Sequence, residues 1–327
     1  MRDVDLTLFA LGASHEFGAR VASRLGIDLA PHEEREFEDG EHKSRSLANV
    51  RGADVYVVHS LNGDAAQSAN DKLVRLLLFA GSLRDAGAAR LTAVVPYLAY
   101  ARKDQRSKSR DPVATRYVAR FFESAGCDAV LTLDVHNLAA FENAFRCRAD
   151  NLSAAGILAE RFVALAGSEP VCVVSPDAGG IKRADRFRSL LAKRLGREVG
   201  SAFVEKYRSE GVVRGGQLVG DVRGCVAVVV DDLVSAGRTL AHAAEAGRKA
   251  GATRVFGAVT HGVFAGEAAA ILGASPLERI VVTDTIVGAR PLGSLASRIE
   301  CVSVAPLVAE AIARLNANGS IEDLVPG

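Results

Sequence analysis

The sequence predicts an α/β protein of two similar domains, each a mostly parallel sheet flanked by helices. Three observations carry this. The chain has 327 residues, more than one hydrophobic core usually organises. Short apolar runs rich in Val, Ile, Leu and Ala, the signature of strands buried on both faces, alternate with stretches of helical character. The chain also echoes itself: residues 85–95 parallel 249–259, and 129–134 parallel 279–284, so the same helix–strand order recurs about 160 residues on, one domain length. The join falls near residues 150–153, giving domains 1–150 and 151–327, with the last helix expected to pack back on the first.

The elements follow in order. A strand over 6–11 turns at Gly12 into a helix over 15–25, and Asp39-Gly40 marks a hairpin turn within 37–41. A strand over 55–59 precedes an amphipathic helix over 70–84, with Leu73, Leu76, Leu77 and Ala80 on one face. A buried strand over 91–95 ends at Pro96, then come a helix over 112–124 and a strand over 129–133. The second half predicts a strand over 171–174, a helix from near Ile181, a strand over 201–204 and a mobile turn over 210–216. Five small or β-branched residues, 226–230, read as a buried strand, followed by an Ala-rich helix over 241–249. Strands over 254–260 and 280–283 and a helix over 306–316 complete the chain.

Composition removes several function classes. A chain that is 49% hydrophobic and 24% charged is globular, and a net charge of +1 gives no electrostatic case for nucleic acid or an anionic membrane. No apolar run approaches the ~20 residues of a membrane helix, and the N-terminus does not read as a signal peptide, so a soluble cytoplasmic protein is expected. Five scattered cysteines without a Cys-x-x-Cys pair argue against a disulfide framework or zinc site; Cys127, Cys172 and Cys225 adjoin apolar runs and read as core thiols. There is no Gly-x-Gly, no P-loop and no Gly-x-Ser-x-Gly elbow.

Phosphate chemistry must then lie in other loops. After the strand at 226–230 come Asp231 and Asp232, then a small-residue loop and a helix start. Backbone N–H groups of such a loop and first helical turn converge on an anion, Ser235 and Thr239 add hydroxyl donors, and Gly237 lets a phosphate approach closely. The two acids suit sugar hydroxyls as hydrogen-bond acceptors. A second anion cradle is read at Ser175-Pro176-Asp177-Ala178-Gly179-Gly180, where Gly179 and Gly180 let amides converge and Asp177 suits a cation bridging to phosphate. In the first half, Phe37 offers a face for a base, and Asp39 and Glu41 offer acceptors for an exocyclic amine; the same residues also make an ordinary Asp-Gly turn. A basic loop after a buried strand, with Arg102 in it, suits polyphosphate, because ligands of open parallel sheets bind beyond the carboxyl ends of strands. His136 follows the next strand at the same edge, although imidazole is a poor match for magnesium. Lys206 and Arg208 either neutralise phosphoryl charge or form a solvated basic edge.

The stretch from Asp231 to Thr239 resembles the phosphoribosyl-pyrophosphate (PRPP) loop of the type I phosphoribosyltransferase fold. Taken with Phe37 to Glu41, Asn49 to Gly52, Pro96-Tyr97 with Tyr100 to Asp104, Asp134-Val135-His136, Ser175-Pro176-Asp177 with Gly179-Gly180, and Lys206 with Arg208, the chain resembles the ribose-phosphate pyrophosphokinase family almost end to end. The resemblance implies two phosphoribosyltransferase-like domains and pyrophosphoryl transfer from ATP to ribose 5-phosphate with Mg²⁺, in a homo-oligomer. It implies ATP contacts for Phe37, Asp39, Glu41, Arg102, Lys103 and Asp104, and metal-side roles for His136 and Asp177. Catalytic roles fall to Lys206, Arg208 and His136, and ribose 5-phosphate contacts to Asp231, Asp232, Ser235, Ala236, Gly237, Arg238 and Thr239. Asp177, Gly179 and Gly180 match the pyrophosphate loop. The departures are Ala236 where the family usually has Thr, Arg238 where it often has Gly, Lys103 where many members have Gln, and Tyr207 where many have Arg. A non-catalytic regulatory homologue and a phosphoribosyltransferase are the alternatives.

Overall fold

The computed structural model describes residues 5–209, 212–287 and 291–325, without the side chains of 206–209 and 212–215. The chain divides into two units. One takes the chain up to Ser153, a short return at 285–287 and the stretch from Ser303; the other takes Ala154–Asp284 and the stretch up to Val302.

In the first unit the order is β1 (Leu6–Ala10), α1 (His15–Leu25), β2 (His32–Glu36), β3 (His42–Ser46), β4 (Asp54–Val58), α2 (Ala69–Asp85), β5 (Arg90–Val95), α3 (Ala114–Ser124), β6 (Ala129–Leu133), α4 (Leu138–Ala144) and β7 (Arg148–Leu152). In the second it is α5 (Ala155–Ala166), β8 (Val171–Ser175), α6 (Ile181–Leu195), β9 (Gly200–Ser209), β10 (Val212–Val219), β11 (Val226–Val234), α7 (Arg238–Lys249), β12 (Arg254–Gly262), α8 (Ala268–Gly273), β13 (Arg279–Thr283) and β14 (Ile299–Val302). The chain then returns to the first unit as α9 (Ala305–Asn316).

The first sheet has the order β1-β4-β5-β6-β7, all parallel. Its strands read as unbroken apolar runs because both faces are covered. On one face Phe9, Val57 and Ala93 meet Leu76 and Phe79 of α2 and Val118 and Phe122 of α3. Phe9 and Phe79 meet edge to face, with centroids 5.2 Å apart. Elsewhere in this unit α1 packs against α9. The second sheet, β10-β9-β8-β11-β12-β13-β14, is parallel except for the β9–β10 pair.

The sequence echo has a physical counterpart in these orders. Each unit runs strand, hairpin, then four further parallel strands, so β1, β4, β5, β6 and β7 correspond to β8, β11, β12, β13 and β14. The hairpins differ. β2 and β3 form a sheet of their own, whereas β9 adds to β8 and extends the second sheet.

Three expectations are corrected. The strand placed at 226–230 continues to Val234, because pairing with β12 runs on through Asp231↔Val259, Leu233↔His261 and Val234↔Gly262. The acid pair therefore lies on the strand and not after it. The turn placed at 210–216 is mostly strand: β10 begins at Val212, while 210–211 lie outside the described residues. A register shift between Arg214 and Gln217 absorbs the glycines that read as a turn, and a Cβ on Gly216 would stand 2.3 Å from the Glu205 carbonyl oxygen. The segments over β7, α4, α5, α8 and β14 gave no sequence reading; α4 and α8 are short, and β7 is a polar edge strand. Cys127 and Cys172 are buried but Cys225 is only half-buried, because it precedes the strand and does not lie within it.

One carboxylate ties the β2–β3 hairpin to the first sheet. Glu34 Oε1 accepts the Gly12 N–H at 2.7 Å and lies 3.1 Å from His32 Nε2, and its Oε2 lies 3.4 Å from His42 Nε2. Burial alone would raise its pKa; the His32 and Gly12 hydrogen bonds and the charge of His32 instead hold it down at about 2. The folded value lies below the unfolded one, so the stabilisation is present above about pH 4.5 and is lost as the pH falls toward 2. Glu34→Gln should cost about 2 kcal/mol at neutral pH. Urea unfolding of both proteins at pH 7 and pH 3 checks this: the gap should narrow at pH 3.

Candidate active site

The groups read as gripping a pentose phosphate all lie in the second unit. β11 delivers Asp231 and Asp232 at its C-terminal end, with Asp231 partly open and Asp232 buried. Arg183, in the first turn of α6, reaches both: its Nη1 lies 3.3 Å from Asp231 Oδ1 and 3.4 Å from Asp232 Oδ1. The same Asp231 oxygen accepts the Asp232 N–H at 2.9 Å. Burial, followed by the charge of Asp232, pushes the Asp231 carboxyl well above the usual carboxylate range, against the pull of Arg183. Two acids so close do not readily both ionise without a cation, and Arg183 supplies one.

Beyond the acids the chain enters α7 through Gly237, at φ +82° and ψ −5°. No side chain caps α7, so its first-turn N–H groups are left to an anion. Ser235, Ala236 and Thr239 are half-buried around this turn, and the Ser235 carbonyl accepts the Ala265 N–H at 3.1 Å. Two constraints fix glycine at 237. The left-handed conformation disfavours any Cβ, and a Cβ there would stand 2.6 Å from Leu272 Cγ. Gly237→Ala should destabilise the fold by about 1–3 kcal/mol and weaken phosphate binding together. Thermal denaturation with and without ribose 5-phosphate would show both, as a lower midpoint and a smaller ligand-induced rise. Arg238 pairs with Glu267 at 3.1 Å, both largely exposed, so its guanidinium is engaged by an acid outside the turn.

The other cradle follows β8. Asp177, half-buried, accepts the Gly180 N–H at 3.2 Å and so caps a 3-10 turn over Ala178–Gly180 that leads into α6. Gly179 is exposed and Gly180 buried, and a Cβ on Gly180 would stand 2.8 Å from Ser175 Oγ. Ser175 Oγ in turn donates to the Asp177 carbonyl at 2.6 Å.

The nucleotide-side residues lie in the first unit. Arg102 and Lys103 are exposed on the loop after β5, and His136 is exposed after β6. β5 and β6 are neighbours in parallel, so their C-terminal loops emerge side by side. Asn137 Nδ2 donates to Asp104 Oδ2 at 2.8 Å and joins the loops directly. The loop's start is fixed where the Tyr100 carbonyl accepts from the Lys103 N–H at 3.0 Å and from Thr115 Oγ1 at 2.9 Å. The structure thus brings Arg102, Lys103, Asp104 and His136 to one sheet edge. Phe37, Asp39 and Glu41 lie on the exposed turn of the β2–β3 hairpin, a sheet of its own. There the Arg35 guanidinium lies 4.9 Å from the Phe37 ring centre, and Asp39 Oδ1 accepts the Glu41 N–H at 3.1 Å.

Lys206 and Arg208 sit on β9 of the antiparallel β9–β10 pair, and their side chains lie outside what the structure describes. Among the described residues no group of three or more His, Cys, Asp or Glu is gathered for a metal ion. His136 and Asp177 belong to different units. Sequence reasoning missed Arg183 and Asn137. Arg183 had a signal: α6 opens with Lys182 and Arg183 and no acid, a placement the helix dipole disfavours.

A sequence profile for the N-terminal domain of ribose phosphate pyrophosphokinase matches residues 6–126, and one for a phosphoribosyl synthetase-associated domain matches 214–325. Ribose-phosphate pyrophosphokinase 1 of Streptococcus pyogenes is 36% identical over 317 residues, covering 95% of each chain. The ribose-phosphate pyrophosphokinase of Vibrio vulnificus is 38% identical over 319 residues, covering 97% of this chain and 98% of its own. The crystal structure of phosphoribosylpyrophosphate synthetase from Mycobacterium smegmatis superposes with a TM-score of 0.87 at 31% identity, over 96% of this chain and all of that one. With relatives matched across nearly their whole length, and an acid pair leading into an uncapped helix start in the second unit, the chain belongs to the ribose-phosphate pyrophosphokinase family.

Proposed function

We propose that this protein is a ribose-phosphate diphosphokinase, transferring the β,γ-pyrophosphoryl group of ATP to the 1-hydroxyl of ribose 5-phosphate. The anomeric oxygen forms a bond to the β-phosphorus, the bond from that phosphorus to the α,β-bridging oxygen breaks, AMP departs, and the hydroxyl proton passes to solvent. The products are PRPP and AMP. The observation that carries this reading is the passage from the Asp231–Asp232 pair through Gly237 into the uncapped start of α7. Acceptors for sugar hydroxyls and donors for a phosphate thereby follow each other within one short segment.

In this reading Asp231 and Asp232 hold the ribose hydroxyls, and Ser235, Thr239 and the backbone from Ala236 to Arg238 hold the 5-phosphate. Asp177, Gly179 and Gly180 cradle the pyrophosphate. Arg102 and Lys103 meet the ATP phosphates, with Asp104 holding that loop to Asn137, while Phe37, Asp39 and Glu41 receive the adenine. Lys206, Arg208 and His136 stabilise charge on the group in flight, which is most of what a loose phosphoryl transition state asks of a protein. His136 and Asp177 are the residues that would meet Mg²⁺. Asp177 offers the oxygen that Mg²⁺ prefers, and so few protein ligands suit an ion held chiefly by phosphate oxygens and water. When bound, the ion neutralises polyphosphate charge.

The protein works on small substrates, in the cytoplasm and as a homo-oligomer. The near-neutral net charge supports the first point. No helix of the described residues is long and apolar enough to cross a membrane. Exposed apolar pairs one turn apart, Val74 with Leu78 on α2 and Tyr117 with Phe121 on α3, favour self-association. The decisive experiment measures AMP release from ATP with Mg²⁺, with and without ribose 5-phosphate. Release that requires the sugar phosphate, with PRPP formed in equal amount, is expected. Its absence would leave the regulatory homologue as the reading.

A further inference from the structure

Arg183 is absent from every role set out in the proposed function, yet it meets both members of the acid pair. Its Nη1 sits almost equidistant from Asp231 Oδ1 and Asp232 Oδ1, at 3.3 and 3.4 Å. The side chain is about three-quarters buried, and Asp232 almost wholly so. In such surroundings an ion pair is screened little, so its geometry is held firmly. The same Nη1 lies 3.7 Å from where a Cβ on Gly180 would stand. One guanidinium therefore spans the end of β11 and the turn after β8.

Helix stability does not account for this placement. Arg183 lies in the first turn of α6, where the helix dipole is positive and no acid offsets it. A cation there is disfavoured by the dipole. What offsets that cost is the pair of carboxylates 48 and 49 residues further along the chain. Burial and mutual repulsion work against both acids being charged, and the shared cation works for it. A carboxyl oxygen held by the shared guanidinium keeps a lone pair free to accept a hydrogen bond from a sugar hydroxyl.

We propose that Arg183 is a positioning residue for the pentose: by sharing one guanidinium nitrogen between Asp231 and Asp232, it fixes both carboxylates as oriented acceptors for vicinal hydroxyls of the sugar phosphate. The inference rests on the pentose assignment of the acid pair but not on catalysis. The role of Arg183 passes through the two acids. Losing it should weaken the sugar phosphate and spare the nucleotide.

The test is calorimetric titration of the full-length protein with ribose 5-phosphate, and separately with Mg-ATP, for the unsubstituted chain and for Arg183→Met, Arg183→Gln and Arg183→Lys. The Met and Gln variants should bind ribose 5-phosphate roughly tenfold or more weakly, the scale of one charge-assisted hydrogen bond. Their ATP affinity should stay within about twofold. Arg183→Lys, which keeps a point charge able to sit between two carboxylates, should recover most of the loss. Unchanged sugar-phosphate affinity in Arg183→Met, an equal loss for both ligands, or a Lys variant as weak as Gln would each overturn the proposal. If Arg183→Met does not fold, the Gln–Lys comparison decides, and equal affinity of those two overturns it. An unsubstituted chain that binds ribose 5-phosphate but releases no AMP would sink the functional reading alone. One that does not bind the sugar phosphate at all would sink both.

Discussion

Lys206→Ala should lower the rate of ribose 5-phosphate-dependent AMP release by about a hundredfold or more, the scale of removing one preorganised electrostatic donor from a transition state. The warrant is the chemistry of the transfer. Negative charge shifts onto the bridging oxygen and the moving pyrophosphoryl group, and a fixed cation stabilises that charge more than it stabilises ground-state ATP. β9 and β10 carry Lys206 and Arg208 on an antiparallel pair whose backbone register is set through Arg208↔Val213 and Tyr207↔Arg214. The loss should fall on kcat more than on KM for either substrate, since the interaction is made chiefly in the transition state. Arg208→Ala should behave similarly, and the double variant should lose less than the product of the two single losses, because in the proposed mechanism both cations serve one charge. Near-normal turnover of Lys206→Ala in the steady-state assay would remove Lys206 from the mechanism.

Asp54→Ala should destabilise the first unit by about 3–5 kcal/mol, the cost of breaking a buried ion pair from one side. Asp54 is fully buried at the start of β4. Its carboxylate accepts from Arg90 Nε at 2.7 Å and from Arg90 Nη2, from the Tyr56 hydroxyl at 2.9 Å and from Asn316 Nδ2 at 2.9 Å. Arg90 then donates onward to the Leu315 carbonyl at 2.9 Å and to Asn318 Oδ1 at 2.9 Å. The guanidinium thus caps the C-terminal end of α9, where the helix dipole favours a cation. Hydrogen bonding to Asp54 raises the Arg90 pKa, so removing the acid leaves a charged guanidinium with its main partner gone. Urea unfolding should show a lower midpoint, and amide exchange should quicken over α9 first. Asp54→Asn, which keeps the shape and part of the hydrogen bonding, should cost less. Equal stability of Asp54→Ala and the unsubstituted chain would show that α9 is held by its apolar face alone.

The sequence by itself determined the alternation of strands and helices, because both periods are local. Val226–Val230 and Ala129–Leu133 declare buried parallel strands through unbroken apolar content, and the echo between 85–95 and 249–259 shows that one plan is used twice. It also marked the residues around which the proposed site is drawn, because acids, glycines and hydroxyls that would serve one sugar phosphate must lie within a few residues of each other along a turn. Strand ends were less legible. Nothing local says that Asp231 to Val234 stay paired, since that depends on β12 continuing beside them as far as Gly262. Only the tertiary structure decided which charges meet. Arg183 finds Asp231 across 48 residues, Asn137 finds Asp104 across 33, and Asn316 finds Asp54 across 262. An ion pair or hydrogen bond depends on distance in space, and chain separation leaves no periodic trace of it, so these contacts become visible only once the sheets have set their strands side by side.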